Sequence, residues 1–239
     1  MLTLFHCNTS YASQKVRIYL AEKKLPWQSV HIDLRKQEQI SSNYRQINPN
    51  GTVPSLKDEK GVIHYGSTEI MEFLEETYPK PKLLPSSQEQ RKLIHQLCKE
   101  HELLHDPHIR TMSYYKIFMS PEKRSQMDIR RVLELAKHHP NAKRGSFLAK
   151  AVQGKFTKAE IALAQKAIIE ALDLLEKHLK SNGKYVIGTQ YSIADAVCTA
   201  TIFRIKKIGL DEEINNYPHI LSWYKIMKQR ESFDLAKLE

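Results

Sequence analysis

Three groups of side chains in this sequence could do chemistry. The first is Ser10-Tyr-Ala-Ser13, where Ser10, Tyr11 and Ser13 bring hydroxyls to the start of a helical pattern, just after Cys7. A hydroxyl there can donate to a bound anion, and the unpaired N–H groups of a helix start favour negative charge. Cys7 is a potential nucleophile, although a small cysteine at a strand end usually packs as core. The second group is His101-Glu-Leu-Leu-His105. It spells H-E-x-x-H, which sets both imidazoles on one helical face with Glu102 beside them, the spacing of a zinc site. Thr111 stands where an extended pattern of this kind has its third histidine, and Pro107 ends the helix at once. A chance match on a polar helix is the expectation, and no metal is expected. The third group is a basic run over 120–158, with Lys123, Arg124, Arg130, Arg131, Lys137, Lys143, Arg144, Lys150, Lys155 and Lys158 against three acidic residues.

The elements that must position these groups fall into two patterns. Leu2, Leu4 and Phe5 open a short strand. Val16, Tyr19, Leu20 and Lys23 keep helical spacing over 13–24, and Leu25-Pro26 stops that helix. Val30, Ile32 and Leu34 alternate with polar residues as a half-buried strand does. A polar helical segment over 36–46 leads to the turn Asn48-Pro-Asn-Gly51. Two short strands follow, Val53–Lys57 and Val62–Tyr65, joined by a hairpin turn at Asp58–Gly61. Ser67 then caps a helix carrying Ile70, Met71, Phe73 and Leu74. The order is β-α-β-α-β-β-α. Tyr78-Pro-Lys-Pro-Lys-Leu-Leu-Pro85 reads as a linker, and beyond it the strand signal ends. Ile161, Ala164, Ile168, Leu172, Leu175 and Leu179 form one helical stripe, stopped near Asn182-Gly183. Ser192-Ile-Ala-Asp195 is a capping box opening another stripe through Ala194, Val197, Cys198, Thr201, Ile205 and Ile208, and 217–229 gives a last helix. The fold class is therefore α/β plus all-α: an α/β domain over 1–78, a linker over 79–87, and an all-helical domain over 88–239 that carries the basic insertion around 120–158.

Composition narrows the function. The 239 residues are 41% hydrophobic and 27% charged, ordinary for a globular chain. No apolar run is long enough to span a bilayer, so no membrane is expected as a partner. The start has neither a basic flank nor a long apolar run, so no secretory signal is expected. Cys7, Cys98 and Cys198 are too few and too scattered for a disulfide framework, which points to a reducing, cytoplasmic setting. The net charge of +10 is local, since residues 1–80 contribute only +1. Only Phe147 and Phe156 interleave with the basic run, fewer aromatic residues than a single-strand binder requires, so it is read as a solvated helical face and no nucleic-acid partner is expected.

The chain resembles the glutathione transferase family, with the similarity running over nearly its whole length. The residues that carry it are Ser10-Tyr-Ala-Ser-Gln-Lys-Val-Arg17, Asn48-Pro-Asn-Gly-Thr-Val-Pro54, Gly66-Ser67 before Glu72-Phe-Leu-Glu75, and the capping box at Ser192. They resemble the serine-using zeta and theta-like branches. The pattern from Ser13 to Arg17 and the stretch Phe203–Leu210 are also similar to glutathione-dependent dehalogenases and to ganglioside-induced differentiation-associated proteins. The resemblance implies a thioredoxin-like N-terminal domain, a helical-bundle C-terminal domain and a homodimer. It implies glutathione as co-substrate and a small electrophile as the second substrate.

Carried over residue by residue, the resemblance makes Ser10 the hydroxyl that stabilises the thiolate of glutathione, with Tyr11 and Ser13 as weaker candidates. Val53, before a cis Pro54, pairs by its backbone with the cysteinyl part. Ser67 receives the γ-glutamyl carboxylate, and Gln39 falls where a contact to the glycine carboxylate sits. His101 or His105 would border the electrophile. Two departures stand out. Gly66 replaces the acidic residue or Gln usual before the serine, which weakens one glutathione contact. Ala12 stands where zeta enzymes and the dehalogenases carry cysteine, which opposes dehalogenase or isomerase chemistry unless Cys7 substitutes. A non-catalytic binding or scaffold protein of the same fold is the alternative.

Overall fold

The computed structural model describes residues 1–236 and builds the expected order from residue 1 to Thr77. These elements are β1 (Leu2–His6), α1 (Tyr11–Glu22), β2 (Trp27–His31), α2 (Ser42–Ile47), β3 (Ser55–Lys57), β4 (Ile63–Tyr65) and α3 (Ser67–Thr77). The strands form one mixed sheet ordered β2-β1-β3-β4. β1 runs parallel to β2, with Leu2 opposite Trp27, and antiparallel to β3, with Leu4 opposite Leu56. Leu4, Leu56, Val16, Leu20, Ile70 and Leu74 are buried in the core that joins the sheet to α1 and α3.

Several boundaries differ from the sequence reading. The first helix begins at Tyr11, because Ser10 caps it, and not at residue 13. The second strand lies at Trp27–His31 and not over 30–34. Ile32 still ends the pairing by donating its N–H to the carbonyl of His6 at 2.7 Å, after which Leu34 enters a loop. The segment 36–46 is not one helix. It is a 3-10 turn at Glu38–Ile40 and then α2, separated by Ser41, whose hydroxyl caps α2. Ser67 does not cap α3 but is its first residue. The cap is Gly66, at φ +94°.

The proline linker is held rather than loose. Buried Lys23 donates to the carbonyls of Tyr78 and Pro81 at 2.7 and 2.8 Å and pairs with Glu75. Glu75 in turn accepts the N–H groups of Leu83 and Leu84 and the hydroxyl of Tyr19. Every lone pair and proton of this buried ion pair has a use, the condition under which such a pair is tolerated.

Beyond the linker the described residues are helical. α4 (Gln88–Leu103) runs into wide turns over Leu104–Ile109, α5 (Arg110–Ser113) and Tyr114–Phe118. The backbone leaves helical geometry at Asp106, before Pro107, as the proline requires. α6 (Pro121–Ser125), α7 (Ile129–Lys137) and α8 (Ala142–Val152) form an excursion with a small core of its own around Met119, Ala136, Leu148 and Val152. α9 (Lys158–Asn182) and α10 (Ile193–Lys207) each open with a complete capping box, Thr157 with Glu160 and Ser192 with Asp195. The stripe expected on α10 understates its burial: every residue from Ile193 to Ile205 is buried, as in a helix packed on all sides. α11 (Asp211–Ile214) and α12 (Pro218–Lys228) follow, and α12 is not the last helix, since α13 (Glu231–Leu235) packs back on α1.

Candidate active site

A cavity of about 690 Å³ opens between the sheet domain and the helices, and the β1–α1 loop forms one of its walls. That loop is fixed by two guanidinium groups. Arg17 donates to the carbonyls of Cys7 and Asn8, each at 3.1 Å, and Arg204 of α10 donates to the carbonyl of Thr9. Three successive carbonyls are thus committed, and Ser10 follows as the N-cap of α1. The Ser10 oxygen accepts the N–H of Ser13 at 3.3 Å. Its own hydroxyl hydrogen has no acceptor among the described residues, and Ser10 lines the cavity. One side chain therefore caps the helix through its lone pair and keeps a donor for a ligand at the positive end of the helix dipole.

The neighbouring candidates are committed elsewhere. Ser13 is fully buried, faces the N–H of Cys7 at 3.4 Å, and does not line the cavity. Cys7 is buried beside Thr9 and also lies off the cavity, so it cannot substitute for the missing cysteine. The position of that cysteine does face the cavity, and here Ala12 offers it a methyl group. Tyr11 lines the cavity, but its hydroxyl bonds to Thr201 at 2.8 Å and burial pushes its pKa far up, so it is neither free nor easily ionised.

The H-E-x-x-H pair is split between structural contacts. His101 is buried between Thr201, 2.8 Å from Nδ1, and Cys198, 3.5 Å from Nε2, and burial lowers its pKa to about 3. It does not line the cavity. His105 does, with its ring stacked on Tyr11 at 4.5 Å. Glu102 turns to the Thr68 hydroxyl. The two imidazoles share no ligand position.

Val53, Pro54, Gly66, Ser67 and Gln39 all line the cavity. The Thr52–Pro54 segment is held from behind by Tyr44 and Asn48, which both donate to the carbonyl of Thr52 at 2.8 Å. The Val53–Pro54 peptide is cis, as expected from the resemblance. Among the described residues the N–H and C=O of Val53 have no hydrogen-bond partner, just before β3 begins, so an extended ligand can pair with them as an added strand. At α3 the first N–H groups are open, and Ser67 brings a hydroxyl to them. The φ of +94° is what favours glycine at 66, and an added Cβ, 2.1 Å from a carboxylate oxygen of Glu69, would also move that flexible side chain aside. The Glu69 carboxylate thus stands against Gly66, off the cavity lining. Gln39 donates to Gln37 at 3.0 Å and leaves its buried amide oxygen unpaired, an acceptor better matched to an N–H than to a carboxylate. Arg35, on the same wall, is the nearby cationic group.

The opposite wall was not legible in the sequence. It is made by the wide turns and the excursion: Arg110, Tyr114, Phe118, Lys123, Arg144 and Phe147 face the cavity together with Arg204. The reading of 120–158 as a solvated face is therefore corrected for Lys123 and Arg144, which line the cavity. The loop before α8 closes against the other domain, where Pro140 lies 3.3 Å from the Cβ position of Gly51.

Comparison with known proteins agrees with this architecture. The N-terminal domain model of glutathione S-transferases matches residues 4–82, and the C-terminal domain model matches 158–225. The chain is 27% identical to the maleylacetoacetate isomerase of Rattus norvegicus over 230 residues, 95% of this chain and 88% of that protein. It is 39% identical to glutathione S-transferase Z1 of Arabidopsis thaliana over 95 residues, 40% of this chain and 42% of that protein. Among solved structures, the beta-etherase LigF of a Sphingobium strain superposes with a TM-score of 0.85 at 21% identity, covering 98% of both chains.

Proposed function

The chain belongs to the glutathione S-transferase family, and from that premise we propose that it joins the thiolate of glutathione to a small electrophile held against the helical wall. The observation that carries this reading is Ser10, a cavity-lining hydroxyl whose oxygen is used by the helix and whose hydrogen is not. The thiol loses its proton to solvent, Ser10 donates to the resulting sulfur anion, and the α1 N-terminus adds favourable potential. Residues 1–78 bind the tripeptide, and 88–239, joined through 79–87, supply the electrophile's wall. Val53 pairs with the cysteinyl backbone. Ser67 and the open N–H groups of α3 take the γ-glutamyl carboxylate. Arg35 suits the glycine carboxylate, and the Gln39 oxygen suits an amide N–H. The buried free cysteines fit a cytoplasmic setting, and exposed Tyr65, Leu93 and Leu103 offer apolar surface to a second copy in a homodimer.

Isomerisation is the second reading. It is favoured by the full-length likeness to maleylacetoacetate isomerases and opposed by Ala12 in the place of cysteine. Both reactions begin with the thiolate adding to carbon, and they part on whether the sulfur leaves again. Calorimetric titration with glutathione, wild type beside Ser67→Ala, tests the shared step. Saturable binding that weakens about tenfold in the variant is expected, the loss of a hydrogen bond to a charged group. Unchanged affinity removes Ser67 from the site. Mass analysis of the product then separates the two reactions, since only conjugation leaves glutathione attached.

A further inference from the structure

The cavity has an unbalanced charge. Arg35, Arg110, Lys123, Arg144 and Arg204 line it, and no Asp or Glu does among the described residues. Glutathione's carboxylates belong on the sheet-domain side, near Arg35 and α3. That leaves Arg110, Arg144 and Arg204 on the opposite wall without a use in binding the tripeptide.

Their partners are informative. Arg110 pairs with Asp106 at 2.6 Å. Arg204 is buried and spends its terminal nitrogens on Thr9 and Ser113, yet its Nε has no acceptor. Arg144 is half-buried, and its guanidinium has neither a hydrogen bond nor an ion pair among the described residues. Burial and the neighbouring Arg110 push its pKa down, Asp106 opposes them only in part, and the net direction is downward, so the charged form is held at a cost that a bound anion would offset. These groups sit among rings. Tyr114 and Phe147 meet edge to face at 5.1 Å, Arg110 stands 5.8 Å from the Phe147 ring centre, and Arg204 stands 5.5 Å from that of Phe118.

We propose that the electrophile is an aromatic carboxylate: a flat apolar body packed on Tyr114, Phe118 and Phe147, with its carboxylate received by Arg144 beside Arg110. This rests on the transferase reading above and names the substrate class of that same site. A guanidinium presents a planar fork that matches a carboxylate with two parallel hydrogen bonds. Aromatic walls leave the charge poorly solvated, which strengthens that bond. The carboxylate also fixes which end of the substrate reaches Ser10.

The test uses a matched pair, a chlorodinitrobenzoate and its methyl ester. In both, the thiolate forms a bond to the ring carbon, chloride leaves with the bonding pair, and the thiol proton goes to solvent. The wild type is expected to prefer the acid in kcat/KM. In Arg144→Gln the ratio of acid to ester should fall by tenfold or more, chiefly through KM, and Arg144→Lys should restore part of it. Binding of an unreactive nitrobenzoate is measured separately by calorimetry on the same three proteins. Arg144-dependent binding without turnover would sink the transferase reading and keep the anion site. Nitrobenzoate binding that ignores Arg144, or an acid-to-ester ratio near one in the wild type, would overturn the proposal whether or not glutathione is turned over.

Discussion

Replacing Ser10 by alanine removes two things at once, and the structure lets their sizes be separated. The oxygen's bond to the Ser13 N–H is an N-cap, whose loss costs about 1 kcal/mol of stability. In a chain of this size that lowers the melting temperature by about 2–4 °C. The hydroxyl's donation to a thiolate is a bond to a charged group, worth about 1.5–3 kcal/mol. One pKa unit corresponds to about 1.4 kcal/mol, so Ser10→Ala should raise the pKa of the bound thiol by about 1–2 units. The raised pKa fixes the pH dependence. Below the thiol pKa of both proteins the conjugation rate falls by the full factor, about 10–100. The loss shrinks as pH rises and the unaided thiol ionises by itself. Glutathione affinity, which the proposed binding mode assigns mainly to Val53 and α3, should change much less. Ser10→Asp supplies the control, because aspartate keeps the cap acceptor and brings no donor: it should melt like the wild type and react like the alanine variant or worse. The assay is the ultraviolet absorbance of the bound thiolate across pH, beside conjugation rates and thermal melts. If Ser10→Ala shows an unshifted thiol pKa and only the stability loss, Ser10 is a helix cap and nothing more, and the thiolate argument fails.

Two further outcomes follow from the same geometry. His101 is held neutral in the fold with a pKa near about 3, against about 6.5 when unfolded. The unfolded chain therefore takes up the proton first, and stability present at pH 7 is lost as pH falls through that window, by about 2 kcal/mol at pH 5 for this one group. Urea unfolding at the two pH values measures it; a slope unaltered in His101→Gln would refute the assignment. Gly66→Ala must hold an L-residue at a φ of +94° and push Glu69 aside, at a cost of about 1–3 kcal/mol. A melting temperature several degrees lower and weaker glutathione binding are expected, and a variant matching the wild type in both would show that α3 starts equally well without the glycine.

The legible parts of this protein are those in which a local rule and the global fold agree. The capping box at Ser192, the stripe on α9, the proline linker and the strand–helix alternation of the first half each follow from local spacing, whereas the capping box at Thr157 that opens α9 went unread. β2 was misplaced because it is an edge strand: Val30, Ile32 and Leu34 alternate cleanly, but pairing with β1 ends at Ile32, and nothing local marks where a strand loses its partner. The stripe on α10 was visible while its full burial was not, because Asp195, Thr199, Thr201 and Arg204 look polar until their partners across the chain are known.

The site divides along the same line. Ser10, Val53, Pro54 and Ser67 lie at element boundaries, where turn and cap chemistry leaves a signature in the sequence. The opposite wall has none. Arg144 and Lys143 are adjacent basic residues near the start of α8, yet one lines the cavity and the other does not. Nothing in hydropathy or period distinguishes them, because this part of the wall is set by how the excursion packs, with Pro140 close to Gly51. Lys123 and Arg144 are brought to the cavity by an excursion that packs a small core of its own and sets Pro140 against Gly51. The half of the cavity that carries Ser10 is therefore encoded locally, and the opposite half is encoded by tertiary contact. A change in the excursion can then reshape that wall without touching the loop that holds Ser10. The guanidinium of Arg204 ties the two halves together, gripping the carbonyl of Thr9 from the helical wall.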